Sequence, residues 1–153
     1  MKPPTALPTL EEWSIRHIRD VFEAPTDADA LRALSNTFSA FRLQGSANGS
    51  PIDFASVKQM VLALRQQAQR PAGLSVEWIS ATGFPDDASN RSGVLVGEYV
   101  VRGIWRNIGG GRLVQFERRK KVHVRIESQS SQMNVDSRRI VKLDFVGGDV
   151  PVE

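Results

Sequence analysis

The stretch Val57 to Thr82, VKQMVLALRQQAQRPAGLSVEWISAT, holds the change of rhythm that decides the fold. Up to Leu64 the apolar residues Val57, Met60, Val61 and Leu64 recur at i, i+3, i+4 and i+7, the stripe of an amphipathic helix, while Lys58, Arg65, Gln66 and Gln69 fall largely elsewhere. Pro71 and Gly73 end that helix, since proline disfavours helical backbone in the residue before it and glycine tolerates a chain reversal. From Leu74 the period becomes two, with Leu74, Val76 and Trp78 alternating against Ser75, Glu77 and Ile79. One boundary therefore separates a helical half from a pleated half.

Upstream, Pro8 to Glu23 carries a helix with Leu10, Trp13, His17 and Val21 on one side, Ile18 and Phe22 beside them, and Glu12, Arg16, Arg19 and Glu23 opposite. It stops near Ala24-Pro25. Thr26-Asp27-Ala28-Asp29 then offers a cap hydroxyl with an acid three positions on, opening a short helix through about Leu34. Thr37 to Leu43, alternating around Phe38 and Phe41, predicts a short strand, and Gly45 to Pro51 a loop. The third helix runs from Asp53 to Arg70. Downstream, Leu74–Thr82, Gly93–Arg106, Leu113–Ser128 and Arg138–Phe145 are four strands. Pro85–Ser92, Gly109-Gly110-Gly111 and Ser128–Asp136 join them as hairpins, so neighbours should be antiparallel.

The fold class that follows is α+β, with three N-terminal helices and a mainly antiparallel sheet. A chain of 153 residues fits one domain spanning 1–153, with 1–7 and 147–153 as loose tails. Hydrophobic residues at 41% and charged residues at 24% exclude disorder over the whole length. The absence of cysteine removes disulfides, thiolate metal sites and cysteine nucleophiles together. The proline-broken Met1 to Pro8 lacks the apolar core of a signal peptide, and no apolar run approaches the ~20 residues of a membrane span, which points to the cytosol.

Trp13 to Phe22 opening the first helix, the Val57 to Leu64 helix, and the closing Arg138-Arg139-Ile140-Val141-Lys142-Leu143 stand in an order that resembles the nuclear-transport-factor-2-like superfamily. That superfamily includes ketosteroid isomerase, scytalone dehydratase and the SnoaL-like polyketide cyclases. The resemblance covers roughly Leu10 to Phe145 and lies in element order, not in a diagnostic motif. It implies that the three helices are packed in a strongly curved sheet, a cone whose mouth holds a small apolar molecule, and a homodimer formed through the sheet. It names no reaction.

Six residues are expected to line such a cone: Trp13, Phe41, Met60, Leu64, Trp78 and Trp105. His17, inside the apolar arc of the first helix, and Tyr99, on a strand face with Leu95, Val101 and Trp105, are the candidate proton-transfer groups. Packing is the commoner role of both residue types, as a boundary histidine bonded to the backbone and a core tyrosine, and outweighs the catalytic one. Glu77 and Asp144 are candidate bases if buried, although alternation places Glu77 towards solvent. A lyase, isomerase or cyclase step on a lipophilic substrate is one reading. A non-catalytic dimerisation or protein-interaction module is the other.

The basic run Arg118-Arg119-Lys120-Lys121, with Arg112 and Arg125, invites an anionic partner. Alternation divides it, putting Arg119, Lys121, His123 and Arg125 on one face and Arg118 and Lys120 on the other with Phe116, Val122 and Val124. No aromatic platform accompanies it and the net charge is only +3, so it reads as a solvated sheet face rather than a nucleic-acid surface. The triple glycine precedes a strand, not a helix, and is a turn rather than a phosphate loop. With only His17 and His123 as imidazoles, neither a metal nor another cofactor is expected.

Overall fold

The structure, a computed structural model, describes residues 7–69, 72–132 and 135–152. Residues 1–6 of the expected N-terminal tail, and the Arg70-Pro71 break, lie outside the described residues. Among those described, three helices precede most of a six-stranded sheet: α1 Leu10–Phe22, α2 Asp27–Thr37, β1 Gln44–Ala47, β2 Ser50–Asp53, α3 Phe54–Gln66, β3 Ser75–Pro85, β4 Gly93–Asn107, β5 Leu113–Ser128 and β6 Arg138–Pro151. The switch to pleated backbone falls where the apolar period changes.

Each helix opens on a capping side chain, of which the Thr26 cap is the one expected from the sequence. The Thr9 hydroxyl accepts from the Glu12 N–H at 3.1 Å, and Thr26 accepts from the Asp29 N–H at 3.1 Å. Asp53 and Ser56 form a reciprocal capping box at α3. At the other end of α1, the buried Arg65 of α3 donates to the carbonyls of Phe22 and Ala24, at 3.2 and 2.8 Å, and to Asp27 at 2.9 Å. Those bonds satisfy carbonyls that the end of a helix leaves without intrahelical partners, and they fix α3 against α1.

The sheet order is β2-β1-β6-β5-β4-β3, antiparallel throughout except that β1 runs parallel to β6. Its concave side packs on the helices, and one apolar cluster joins Leu10, Trp13, Val21 and Leu34 to Leu95, Val101, Ile126 and Ile140. Three irregularities, at Trp78/Ser80 in β3, after Val101 in β4 and beside Ile140 in β6, bend the sheet around them. The sheet is curved and remains open.

Three expectations change. The Gly45–Pro51 loop is instead the β1–β2 hairpin, turning at Asn48-Gly49 with φ of 49° and 86°, the paired positive values that asparagine and glycine supply to a two-residue turn. The strand expected over Thr37–Leu43 is the end of α2 followed by a turn, touching β6 only through a Phe38–Ile140 bridge. Gly147 to Pro151, expected as a loose tail, extends β6 and pairs with β5 from Lys120 back to Phe116.

Candidate functional site

Lys120 lies at the centre of β5, with Tyr99 opposite it on β4 and Gly147 opposite on β6. Alternation from the buried Val122, Val124 and Ile126 points its side chain inward, beneath the helices. A side chain at Gly147 would start 2.7 Å from the Arg119 carbonyl oxygen and 3.2 Å from Lys120 Cγ, so the glycine leaves room for the lysine stem. The amine Nζ stands 4.8 Å from the centre of the Phe145 ring, 5.1 Å from Phe22 and 5.8 Å from Tyr99. Lys120 is 8% exposed and has no ion pair or hydrogen bond among the described residues.

A buried amine without a carboxylate favours its neutral form. Desolvation pushes the Lys120 pKa down to about 7, the Arg118 charge adds to the fall, and Asp149 opposes it. Three ring faces attract an ammonium by roughly 0.5–2 kcal/mol each, which offsets part of a burial penalty of several kcal/mol per ion. Beside it the buried Tyr99 hydroxyl has its pKa raised by desolvation and remains protonated at neutral pH.

The amine borders two spaces. Inward is a largely apolar cavity of about 30 Å³, lined by Ser14 and Ile18 of α1, Leu64 of α3, and Trp78 and Tyr99 of the sheet. It holds one or two water-sized groups. Outward is a groove of about 420 Å³ at the cone mouth, running past Met60, Asn48, Gly147 and Asp149, and Lys120, Arg118, Met60 and Phe145 belong to both. Asp149 accepts two bonds from Arg118, at 2.7 and 3.1 Å, and meets Arg106 at 2.5 Å. These guanidiniums, Arg118 first, hold its carboxyl below the usual range and leave the mouth one positive charge in excess. On two residues of the cavity lining, Ser14 Oγ and Trp78 Nε1 are buried with no hydrogen-bond partner among the described residues. Leaving such a group unpaired costs about 1–3 kcal/mol, so a polar guest finds two waiting contacts.

No protein-family model and no curated protein matches the sequence. Among solved structures, one described as "Rd1NTF2_04 with long sheet" matches with a TM-score of 0.52 at 9% identity, over 90% of this chain and 99% of that one. The chain has the nuclear-transport-factor-2-like fold. Nuclear transport factor 2 from Cryptosporidium parvum also aligns, with a TM-score of 0.46 and 8% identity over 91% of this chain and 92% of that one. At such identities the likeness is one of fold, and no residue's role transfers through it.

Within this nuclear-transport-factor-2-like cone, Tyr99, Met60, Leu64 and Trp78 line the cavity. Trp13 is buried in the core at 3% exposure without reaching it. Phe41 is fully exposed, because the segment expected as a strand is a turn after α2. Trp105 does not line the cavity either. Gly103, at φ 95°, inserts an extra residue into β4, and a slip of one residue turns every later side chain to the opposite face.

His17 lies outside the cone, in a groove between α1 and α2, so the structure does not bring it together with Tyr99. Its ring stacks on Trp13 at 4.2 Å and Nδ1 bonds the Thr37 hydroxyl at 3.1 Å. Burial lowers its pKa from 6.5, against the raising pull of Asp136 and Asp20 and with a further lowering from Arg139 and Arg138. A histidine held neutral stabilises the fold above pH 6.5, and that contribution is lost as pH falls through the lowered value. His17→Gln is therefore expected to flatten the decline of melting temperature between pH 7.5 and pH 5, to an extent about that of a single group. An unchanged decline would assign it elsewhere.

Glu77 is exposed and paired with Arg102 at 2.6 Å, and Asp144 accepts from Ser46 Oγ at 2.9 Å, both away from the cavity. On the outer face Glu117 is bridged by Arg102 and Arg119, while Arg125 binds Asp86 and Glu127. The basic strand is thus largely neutralised by its own acids. No cluster suited to a metal ion occurs among the described residues. The residue that sequence reading missed is Lys120, hidden in a run of like charge. The signal was its parity with Phe116, Val122 and Val124.

Proposed function

We propose that this protein binds a small, mainly apolar molecule whose polar head meets Lys120 while its body lies in the mouth groove. The carrying observation is a lysine inside an apolar, aromatic cavity whose amine forms no ion pair among the described residues. Natural cores exclude such an amine unless it is used, because a hydrophobic residue of the same size packs there without the desolvation cost. The groove, at about 420 Å³, falls within the size range of small-molecule sites. The chemistry assigned to it is proton transfer of the lyase, isomerase or cyclase class on a lipophilic substrate, with Lys120 taking the place expected of His17 beside Tyr99. Saturable binding of an uncharged aliphatic probe, octanol, followed through Trp78 fluorescence, tests the reading. Met60→Trp, which fills the passage between the two spaces, is expected to weaken that binding by about tenfold or more. Equal binding by the two proteins would refute the pocket.

A second reading, self-association through the sheet, is favoured by one feature of the outer face. Val96 and Val146, 41% and 56% exposed, flank a shallow groove with Glu98, Lys121, His123 and Asp144. Apolar positions between charges of both signs suit a two-fold pairing in which each acid meets the other copy's lysine. Sedimentation at increasing protein concentration is expected to show a dimer, and a monomer at all concentrations would remove this reading.

A further inference from the structure

We propose that Lys120 is a nucleophile that captures an aldehyde or ketone as an imine. This rests on the pocket reading above and names its substrate class, a carbonyl compound with an apolar tail. Four features of the site converge on it. The amine is 8% exposed and reaches both the mouth groove and the inner cavity. Without an ion-pair partner, it has no bond to break before it attacks. Tyr99, its cross-strand neighbour, carries a hydroxyl that stays protonated in the same cavity. Ser14 and Trp78, whose Oγ and Nε1 are buried and unpaired among the described residues, line the space in which the carbonyl oxygen and the water formed from it must be accommodated.

The alternative role, an anchor for a carboxylate, fits the site less well. An anion's anchor benefits from permanent charge, and the mouth already offers that at Arg118, whereas desolvation at Lys120 works towards the neutral amine. The lone pair of neutral Nζ attacks the carbonyl carbon, forming a C–N bond as the C=O π electrons pass to oxygen. A proton moves from nitrogen to that oxygen, giving a carbinolamine. Loss of the hydroxyl with a second proton, delivered through the Tyr99 hydroxyl, releases water and leaves C=N. The sum is carbonyl plus amine giving imine plus water, with no oxidant or reductant. An iminium withdraws electrons from the adjacent carbon, which is what an isomerase or lyase step on a carbonyl substrate requires.

The test uses the full chain with octanal and cyanoborohydride at pH 7, followed by peptide mapping, with octanol binding measured in parallel. Lys120 is expected to acquire the octyl group at least about tenfold faster than its neighbour Lys121, because burial favours its unprotonated amine and the cavity holds the aldehyde beside it. Lys120→Met should lose this fast labelling while Lys121 is labelled as slowly as before. Labelling of Lys120 and Lys121 at equal rates, with octanol still binding, overturns the nucleophile and leaves the pocket standing. Failure of octanol to bind overturns the pocket, and slow labelling of Lys120 in that case overturns the nucleophile as well.

Discussion

Replacing Arg138 by methionine is expected to destabilise the protein by about 3–5 kcal/mol, the largest loss of any single side chain outside the cavity. Arg138 opens β6 and has no exposed surface, yet it sits at the narrow end of the cone where three separate segments meet. Its Nε and Nη2 bind the two oxygens of Asp136 at 2.9 and 2.8 Å, and its Nη1 binds the carbonyls of Pro8 and Asn90 at 2.7 and 3.0 Å. The guanidinium also lies 5.7 Å from the centre of Trp13, which in turn stacks on His17. Burial alone would raise Asp136, but the Arg138 fork outweighs it and holds the carboxyl low. Methionine fills similar volume but leaves Asp136 only the 3.2 Å bond from the backbone N–H of residue 138, and deprives the Pro8 and Asn90 carbonyls of the guanidinium. Against a total stability of ~5–15 kcal/mol, that loss is a large fraction. Arg138→Lys should recover little, since one ammonium cannot reproduce a planar fork aimed at a carboxylate and two carbonyls. Urea unfolding measures both variants, and a midpoint within error of the parent protein would show that these bonds merely replace hydration.

The fold was legible because its main devices are local. Thr26 announces the start of α2, the period changes once, and the glycine turn after Asn107 separates β4 from β5. What escaped depends on single residues that shift a register. The Asn48-Gly49 pair makes a hairpin out of a segment whose abundance of turn formers suggests only a loop, and that hairpin supplies the parallel partner of β6. Gly103 reverses the facing of Trp105, and nothing in strict alternation warns of an extra residue. The site was harder. Spacing on α1 places His17 correctly beside Trp13 and Val21, but it does not say whether that arc meets the sheet or α2. Thr37, twenty residues away, decides the matter by accepting the imidazole as its neighbour. Lys120 was legible by parity alone, and charge outweighed parity because lysines are seldom buried.

Lys120→Met is expected to stabilise the protein at pH 7 by about 1–4 kcal/mol while removing its carbonyl chemistry. The sign follows from linkage. The folded pKa is about 7 against an unfolded value of 10.5, so the unfolded chain binds more protons between those limits and stability climbs with pH across them. Below pH 7 the folded protein carries a buried ammonium and bears nearly the whole penalty, which amounts to a few kcal/mol at about 1.4 kcal/mol per pH unit. The charged groups facing the amine are Arg118, Arg106 and Asp149, and the Asp149 carboxyl, held below the usual carboxylate range by Arg118, is ionised throughout and does not mimic the effect. His17 acts below pH 6.5, and Tyr99, whose pKa is raised by burial, weakens the fold only above pH 10. Between pH 7 and 9 the melting temperature of the parent protein should therefore rise, while that of Lys120→Met starts higher and stays nearly flat. If methionine instead lowers stability equally at both pH values, the rings of Phe22, Tyr99 and Phe145 hold a permanent ammonium. Lys120 is then a structural cation, and the amine needed for attack is absent at neutral pH.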